Sequence, residues 1–426
     1  MTLNLSQALE QIGQRAQSAS RILAQATTKT KNEALLAIAR RIDEETEAIL
    51  AANEDDLRAG AERGLSSAML DRTRLDPKRI QTIANSVREL VNLTDPAGEV
   101  LKQWSRPNGL KISKIRVPIG VIGIIYESRP NVTSDAASLC LKAGNAVILR
   151  GGSESIRSNM ALAEAVSRGC QDAGLPEHSV QLVPSTDRAA VTLMAQLDRY
   201  IHLIIPRGGR SLIEAVTSAA RMPVIKHFDG ICAVYVDRAA DFRMAERIVV
   251  NAKCQRTAVC NAIETLLVHE EIARQFLPQC AGALWERGVE LRGDAMTQEI
   301  LGSKVRPATE EDWSTEYLDL ILAIRTVRNL EDAIEHIGKY GSHHSDAIVT
   351  EDQVAARKFL HQVDSAAVFW NASTRFNDGG EFGFGAEIGI STDRLHARGP
   401  MGLEELTSYK YLVEGTGQVR GWGGER

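Results

Sequence analysis

The sequence predicts an α/β fold with two parallel-sheet domains and a small β ribbon. From residue 119 to about residue 400, short apolar runs alternate with amphipathic helical segments, which is the pattern of βαβ units. The length of 426 residues exceeds what one core can organise, so two or three domains are expected. In residues 98–118, alternating apolar and polar residues flank Asn108-Gly109, which indicates a β-hairpin.

The segments outside the two sheets are predicted to form helices and a ribbon. Apolar residues within 3–93 recur at helical spacing, and Asp76-Pro77 begins a helix that runs to about Leu93. The hairpin is marginal by itself. Another strand would stabilise it, and a partner subunit is one source of such a strand. The tail is strand-like from Ser408 to Val413.

Runs of apolar residues predict the strands of the two sheets. The first domain has predicted strands at 120–126, 145–150, 180–183 and 200–205, and helices at 136–143, 160–173 and 212–220. The second has strands at 231–236, 263–268, 320–325, 345–350 and 366–370, and helices at 241–250, 271–286 and 330–340. Such sheets bind ligands at the carboxyl ends of their strands, so binding loops are expected at 126–131, 150–155, 184–186 and 206–211.

Composition and charge argue against several classes of protein. The formal net charge is -5, so no basic excess is present to neutralise nucleic-acid phosphates. The six cysteines form no CxxC pair, which argues against a zinc site or a disulfide framework and favours a reducing compartment. No signal peptide and no apolar stretch of membrane-spanning length is found. We expect a cytoplasmic protein with neither a nucleic-acid nor a membrane partner.

Residues 251–261 are predicted to carry the chemistry. They are expected to form a turn between a helix and a strand, where reactive side chains often lie. Cys254 and Cys260 lie in this segment beside Lys253 and Arg256, and nearby positive charge favours the thiolate, which is the nucleophile. The alternative is that these thiols are small buried hydrophobic groups.

Two other loops bear on ligand binding. Residues 206–211, Pro-Arg-Gly-Gly-Arg-Ser, follow a strand and precede a helix, so their backbone N–H groups are candidates for holding an anion. An ordinary tight turn is the alternative. No GxGxxG follows a strand and opens a helix, so a dinucleotide would be held in another way. His343 and His344 are predicted to lie in a polar loop, and no metal site is expected, because metal sites need more converging ligands.

Four motifs carry a resemblance to a known family. They are Tyr-Glu-Ser-Arg-Pro-Asn-Val at 126–132, Lys-His-Phe-Asp-Gly at 226–230, Gln-Arg-Thr-Ala-Val-Cys-Asn at 255–261 and Gly-Phe-Gly-Ala-Glu-Ile-Gly at 383–389. In this order they resemble the aldehyde dehydrogenase superfamily, and within it the branch that reduces gamma-glutamyl phosphate. The resemblance covers nearly the whole chain, and several ordered motifs are more specific than any single one.

The resemblance implies an aldehyde dehydrogenase-like fold and a division of labour. Residues 1–97 and 119–228 would form the cofactor-binding domain, and residues 229–400 the catalytic domain. The hairpin at 98–118 and the tail at 401–426 are similar to the superfamily's oligomerisation ribbon. A homo-oligomer is therefore expected.

The resemblance also implies roles for individual residues. Cys260 stands where the superfamily has its nucleophile, and Asn131 where it has the oxyanion-hole asparagine. The implied cofactor-binding residues are Arg150, Ser153, Pro206, Gly208, Gly209, Ser211 and Glu316. The substrate's carboxylate or phosphate needs a cation, and the candidates are Arg129, Arg256, Arg375 and Arg394.

Two positions bear on the choice of cofactor and acceptor. Arg150 stands where the superfamily usually has a lysine, and Ser153 where NAD-preferring members often have a glutamate, so NADP(H) is the expected cofactor. The neighbouring Glu154 could weaken that preference. His227 stands where oxidative members have the glutamate that activates water, so hydrolysis of a thioester should be slow. An enzyme that uses phosphate instead of water does not need that base.

Together these roles imply an NADP-dependent, phosphorylating glutamate-5-semialdehyde dehydrogenase of proline biosynthesis. It would reduce L-glutamyl 5-phosphate to L-glutamate 5-semialdehyde through a thioester on Cys260. The alternatives are an oxidising or coenzyme A-acylating semialdehyde dehydrogenase, a cysteine acyltransferase or hydrolase without a nicotinamide, and a non-catalytic member of the fold. Association with glutamate 5-kinase, which would make the unstable substrate, stays open.

Overall fold

A computed structural model describes residues 4–420 of the chain. Within that range the chain divides into two compact units. The first contains the residues up to Ile225, the segment Phe384–Ile388 and the residues from Met401 onward. The second contains Lys226–Gly383 and Gly389–Pro400. Each unit is built around a parallel sheet of its own.

Helices occur throughout both units. In chain order, the α-helices of the described residues are α1 (Leu5–Leu23), α2 (Thr28–Glu44), α3 (Thr46–Glu62), α4 (Ser67–Thr73), α5 (Pro77–Glu89), α6 (Asn131–Lys142), α7 (Ile156–Asp172), α8 (Ala189–Ala195), α9 (Arg210–Ala219), α10 (Phe242–Cys254), α11 (Glu270–Trp285), α12 (Ala295–Leu301), α13 (Leu330–Tyr340) and α14 (Gln353–Gln362). None of these helices combines the length and the apolar character needed to cross a membrane.

The strands are mostly shorter than the helices. In chain order they are β1 (Val100–Ser105), β2 (Lys111–Pro118), β3 (Val121–Tyr126), β4 (Ala146–Arg150), β5 (Val180–Leu182), β6 (Leu203–Arg207), β7 (Cys232–Val236), β8 (Ile263–His269), β9 (Glu290–Gly293), β10 (Arg306–Pro307), β11 (Ile321–Val327), β12 (Ser345–Val349), β13 (Ala367–Trp370), β14 (Ile390–Ser391), β15 (Gly399–Pro400) and β16 (Thr407–Glu414).

The helices predicted in residues 3–93 are confirmed within the described range. Asn4 caps α1 by accepting the Gln7 N–H at 2.8 Å, and the Gln7 side chain accepts in return, which forms a capping box. Asp76 caps α5 in the same way, accepting the Arg79 N–H at 2.7 Å, and Pro77 occupies the first turn, where no N–H is needed.

The predicted ribbon is a three-stranded antiparallel sheet in the order β1-β2-β16. The tail strand pairs with β2 along its whole length, from Thr407 opposite Pro118 to Glu414 opposite Lys111. The chain itself therefore supplies the third strand, which corrects the suggestion that a partner subunit would supply it. Residues 421–426 of the predicted tail lie outside the described residues.

The parallel sheet of the first unit has the strand order β5-β4-β3-β6. Every residue of β3 and β4 is buried, as expected of strands covered on both faces. Helices α1, α6 and α7 pack against this sheet. In the register of the sheet Arg150, the last residue of β4, lies opposite Ile125, and Arg207 lies opposite Tyr126. The carboxyl ends of three neighbouring strands therefore meet at one edge.

The parallel sheet of the second unit has seven strands in the order β10-β9-β11-β8-β7-β12-β13. Its central strands β7, β8 and β12 are buried throughout. Apolar side chains of these strands pack with α10 and α11 into one core cluster, and β7 packs on its other side with α13 and α14. All seven strands run parallel, so their amino ends share one edge.

Several predicted boundaries are wrong. Helix α10 continues to Cys254 because Ala252 extends its buried apolar face, so residues 251–254 are helical and not part of a turn. Helix α6 already begins at Asn131, and α9 begins at Arg210. Helix α8 was not predicted at all, since its seven residues are too few for a clear helical period.

Candidate active site

Cys260 lies in the loop that connects α10 to β8, and its side chain is half-buried. Gly230 approaches this loop so closely that a Cβ atom at position 230 would lie 2.0 Å from the Cys260 carbonyl oxygen. The same oxygen accepts a hydrogen bond from the Cys232 thiol at 3.2 Å. The backbone at Cys260 is thus held on one side by the segment that enters β7, and only glycine fits at position 230.

The residue after the cysteine fastens the loop on its other side. The Asn261 amide donates to the Asn377 carbonyl at 3.0 Å, and the Thr374 hydroxyl donates to the Asn261 carbonyl at 2.7 Å. Arg375 donates to the Asn261 side-chain oxygen. Asn261 is buried, so these bonds also satisfy polar groups that have lost water. The segment after β13 therefore fixes the position of Cys260.

Arg375 and Arg256 supply positive charge at this loop. The Arg375 side chain is half-buried and donates to Gln255 at 2.9 Å. Burial lowers the pKa of Arg375 and the Arg256 charge lowers it further, whereas the charges of Asp378 and then Cys260 raise it. Arg256 is exposed. A thiolate at Cys260 is attracted to the Arg375 guanidinium, as the sequence led us to expect of a cation near the thiol.

Lys253 was predicted to supply positive charge to the Cys260 thiol, but its charge is paired elsewhere. Its side chain is fully buried and donates to Glu264 at 2.6 Å, so its charge is matched by a carboxylate inside the core. Burial lowers the pKa of Lys253 and raises the pKa of Glu264 to about 7. Burial also raises the pKa of the neighbouring Cys254 thiol. Cys254 thus fits the alternative of an inert, partly buried thiol.

Two histidines lie beside the Cys260 thiol. One ring nitrogen of His227, one of His344 and the Cys260 Sγ atom lie within 4.8 Å of one another. The two imidazole rings meet edge to face with centroids 5.5 Å apart. His344 is completely buried, so the prediction of a polar loop at positions 343 and 344 is wrong for this residue. A histidine that precedes a buried strand is carried into the core with it.

Glu316 also acts on this loop. Its carboxylate accepts the Gly230 N–H at 2.8 Å, and burial raises the pKa of Glu316. Because Gly230 touches the Cys260 carbonyl, Glu316 helps to position the cysteine loop from a second direction. This contact is additional to the ribose-binding role that the resemblance implies for Glu316.

Asn131 lies in the first unit, at the first position of α6. Its amide donates to the Asp135 carboxylate at 2.8 Å, one helical turn further on. Burial raises the pKa of Asp135 to about 6. Asp135 was not among the residues predicted from the sequence, although its spacing of four residues from Asn131 was a usable signal. Asp135 orients the Asn131 amide and leaves its second N–H for another acceptor.

Arg150 and Ser153 follow β4 in the first unit. Arg150 is buried, and one of its terminal nitrogens lies 3.4 Å from the Asp187 carbonyl. Its Nε atom is buried without a hydrogen-bond partner among the residues that the structure describes. Ser153 begins a 3-10 turn, and the carboxylate of the next residue, Glu154, accepts from the Ser128 hydroxyl at 2.8 Å. A buried guanidinium with an unused donor suits an anionic ligand.

A carboxylate side chain of the protein occupies a backbone N–H group of the loop before α9. The Glu127 carboxylate accepts the Gly209 N–H at 3.0 Å, at the amino end of that helix. A Cβ atom on Gly208 would lie 2.5 Å from the same carboxylate. Pro206 lies inside β6 and Ser211 in the first turn of α9, so only part of the predicted loop is irregular. Glu127 was not foreseen from the sequence.

The remaining arginine candidates lie on exposed segments. Arg129 is exposed between β3 and α6 in the first unit. Arg394 is exposed in the second unit and pairs with Asp364, which also accepts from Arg398 at 2.6 Å. Of the four candidates, Arg256 and Arg375 belong to the segments that surround Cys260.

A family comparison identifies the family and the fold. Residues 4–312 match the aldehyde dehydrogenase family. The chain belongs to this family. The resemblance inferred from the four motifs is therefore confirmed, and the α/β fold with parallel sheets is the aldehyde dehydrogenase fold.

The relatives within the aldehyde dehydrogenase family are similar over almost their whole length. Gamma-glutamyl phosphate reductase of Moorella thermoacetica is 59% identical, with 98% of this chain and 100% of the relative covered. The enzyme of that name from Clostridium botulinum strain Eklund 17B is 56% identical, with coverage of 96% and 98%. The crystal structure of gamma-glutamyl phosphate reductase from Thermotoga maritima has a TM-score of 0.95 at 49% identity, with coverage of 97% and 100%.

Proposed function

We propose that the chain reduces gamma-glutamyl phosphate to glutamate 5-semialdehyde, with release of phosphate, as a step of proline biosynthesis. The observation that carries this proposal is Cys260, held in its loop by Gly230 with His227 beside it. The resemblance implies that His227 replaces the glutamate with which oxidative members activate water. A relative named gamma-glutamyl phosphate reductase that is 59% identical over 98% of the chain supports the same substrate.

The first step is attack of the Cys260 thiolate on the acyl phosphate carbonyl. A carbon–sulfur bond forms, the bond from that carbon to the phosphate oxygen breaks, and phosphate leaves as an anion. Arg375 and Arg256 bring positive charge to the loop where the thiolate and the departing phosphate carry negative charge. Gly230 and Asn261 keep the nucleophile in place, which lowers the entropic part of the barrier.

Negative charge develops on the carbonyl oxygen during attack and again during reduction. We assign its stabilisation to the Asn131 amide and the Cys260 backbone N–H, and one pair of donors can serve both steps. Asp135 accepts one N–H of the Asn131 amide and so sets its orientation. When bound, a reduced nicotinamide supplies the hydride that converts the thioester to the aldehyde level.

NADP(H) is the cofactor that we propose. The buried Arg150 guanidinium, with an Nε atom that lacks a partner among the described residues, fits a 2′-phosphate, and neutral Ser153 adds no repulsion. The Glu154 charge is engaged by Ser128, so it opposes this preference less than its position in the sequence suggests. Gly208 and Gly209 would approach the pyrophosphate at α9, where Glu127 now accepts from Gly209.

The test is run in reverse, because the acyl phosphate is unstable. Enzyme, glutamate 5-semialdehyde and NADP are mixed, and NADPH absorbance is followed with and without inorganic phosphate. We expect reduction of NADP that requires phosphate and disappears in Cys260→Ser. Reduction without phosphate would mean that water is the acceptor and would favour the oxidising alternative. Reduction that needs coenzyme A would favour the acylating one.

We also propose that the ribbon mediates a homo-oligomer. In the order β1-β2-β16 both outer strands have an edge that no other strand of the described residues pairs with, and the edge strand β16 exposes Tyr409, Tyr411 and Leu412. Exposed edges with apolar side chains are natural sites of pairing between chains. Light scattering should give a mass of at least two chains, and a monomer at micromolar concentration would contradict this.

A further inference from the structure

We propose that His227, Cys260 and His344 form a binding site for a thiophilic divalent cation, Zn²⁺, which blocks the Cys260 nucleophile when it binds. The three side chains belong to segments far apart in the sequence, and the fold of the second unit alone brings them together. A site of this kind departs from the expectation of no metal site, which rested on the absence of closely spaced ligands in the sequence.

The geometry is close to that of a zinc site. One nitrogen of each imidazole and the Sγ atom of Cys260 lie within 4.8 Å of one another. Zinc bonds of about 2.3 Å to sulfur and about 2.0 Å to nitrogen place tetrahedral ligands roughly 3.5 Å apart. The ligand atoms therefore need to approach one another by no more than roughly 1 Å to bind the ion.

The donors are also the right kind. A thiolate with two imidazoles is a ligand set that zinc prefers over magnesium or calcium, which bind oxygen. Three protein ligands leave a fourth position of the tetrahedron for water or for a substrate oxygen. His227 and Cys260 are half-buried, so an ion can reach them, whereas His344 forms the closed side of the site.

One nitrogen of the buried His344 provides the second observation that supports a metal site. The Nε2 atom of His344 is buried and has no hydrogen-bond partner among the described residues, although buried polar atoms rarely stay unpaired. Its other nitrogen, Nδ1, lies 2.8 Å from the Ser345 hydroxyl, which also receives the Asn377 amide at 2.7 Å. Metal-bound histidines are usually oriented in this way through their second nitrogen.

His227 is oriented by the same principle. Its Nδ1 atom lies 2.8 Å from the Ile390 carbonyl oxygen. A carbonyl oxygen can only accept, so Nδ1 carries the proton and the neutral ring has its lone pair on Nε2. The backbone of the second unit therefore fixes the tautomer that can bind a metal.

Binding of Zn²⁺ would compete with the acyl substrate for the same sulfur. The ion would be a reversible inhibitor that a chelator removes, and the imidazoles would be the reason for its affinity. Cys232 is the rival thiol, because its Sγ atom lies 3.6 Å from the Nδ1 atom of His344. The test must therefore distinguish Cys260 from Cys232.

The experiment measures metal binding directly on the full chain, without substrate or cofactor. Metal-free protein is titrated with ZnCl₂ by calorimetry, and with CoCl₂ while the thiolate-to-cobalt charge-transfer band is recorded. We expect one equivalent per chain. Cys260→Ser should abolish the band, and Cys260→Ser and His227→Gln should each weaken binding at least ~100-fold, more than loss of an outer partner does.

The control is Cys254→Ser, which removes a half-buried thiol outside the cluster and should bind zinc like the unaltered chain. Thermal unfolding verifies that each variant is folded. A further variant is His344→Asn, which changes a fully buried residue. If that variant does not fold, His227→Gln, which changes a half-buried residue, still tests the imidazole ligands. Undiminished binding in Cys260→Ser or in His227→Gln, or loss of binding in Cys254→Ser, would overturn the proposal. Because no substrate is used, the result is independent of the proposed reaction.

Discussion

The two parallel sheets carry the residues that we propose for binding and catalysis at opposite ends of their strands. In the four-stranded sheet, Arg150 ends β4, and Gly208 and Gly209 follow β6, so the groups lie at carboxyl ends. In the seven-stranded sheet, Cys260 precedes β8 and His344 precedes β12, so the groups lie where the strands begin. Each unit therefore gathers its groups at one edge of its own sheet.

The difference shows how far the carboxyl-end rule extends. The rule rests on helix amino termini that follow strands and bind anions, and this applies to the edge with Gly209 and α9. The cysteine loop needs a fixed backbone instead of a helix dipole. Adjacent parallel strands begin at one edge, so the loops that enter β7, β8 and β12 converge and hold each other there.

The largest expected effect is at the nucleophile. Cys260→Ser should lower the rate of NADP reduction at least ~10⁴-fold, because the alcohol is a far weaker nucleophile than a thiolate at neutral pH. Cys254→Ser, six residues earlier, should leave the rate within about twofold. The phosphate-dependent assay measures both. Comparable losses in the two variants would show that the thiol assignment is wrong.

The next effect is expected at the start of α6. If Asn131, at the start of α6, has the proposed role, Asn131→Ala should lower kcat about 100-fold, since it would remove one of the two donors proposed for the oxyanion. The matched control is Asn85→Ala, an exposed asparagine on α5, which should have no measurable effect. Steady-state kinetics with glutamate 5-semialdehyde would decide. A rise in KM with unchanged kcat would assign Asn131 to substrate binding instead.

The positioning of Cys260 can be tested by changing Gly230. Gly230→Ala would place a methyl group against the Cys260 carbonyl, displace the nucleophile, and lower kcat by about 10- to 100-fold. Gly282→Ala in α11 is the matched control, because nothing lies within 4 Å of a Cβ atom there. That change should stabilise the helix by up to about 1 kcal/mol. Full activity of Gly230→Ala would refute the positioning role.

The proposed binding of the cofactor 2′-phosphate near Arg150 can be tested by measuring the preference for NADP over NAD. Ser153→Glu should lower kcat/KM for NADP relative to NAD by about 10-fold, because a carboxylate near the ribose repels the 2′-phosphate. Ser153→Gln has nearly the same shape without the charge and should retain the preference for NADP. An unchanged ratio in the glutamate variant would place the 2′-phosphate elsewhere.

A separate prediction concerns stability and not activity. Burial raises the pKa of Asp346 to about 6, so the folded state retains a proton that the unfolded state releases near pH 4. The contribution is therefore complete below about pH 4 and is lost as pH rises through about 6. In Asp346→Asn the decline in unfolding free energy over this window should shrink by up to about 3 kcal/mol. Chemical denaturation at several pH values measures it. An unchanged decline would mean that other carboxyls cause it.

Local sequence patterns were sufficient to predict most of the longer regular elements, whereas the roles assigned to single residues stay predictions. The period of apolar residues predicted the N-terminal helices and both sheets, except the short strands β9 and β10. The four ordered motifs indicated the family that the comparison confirms. Local rules suffice for these features, because a strand, a cap or a hairpin depends on neighbours in the chain. The loops after β4 and β6 were located for the same reason, and their role in cofactor binding stays a prediction.

The surroundings of Cys260, in contrast, depend on the tertiary structure. Lys253 was expected beside the thiol, but burial pairs it with Glu264. His344 was expected in a polar loop, but β12 carries it to the cysteine. The close contact of Gly230 with Cys260 was not foreseen either. These contacts join segments far apart in the sequence, and the order of strands in a parallel sheet, which local propensity does not encode, determines which loops meet.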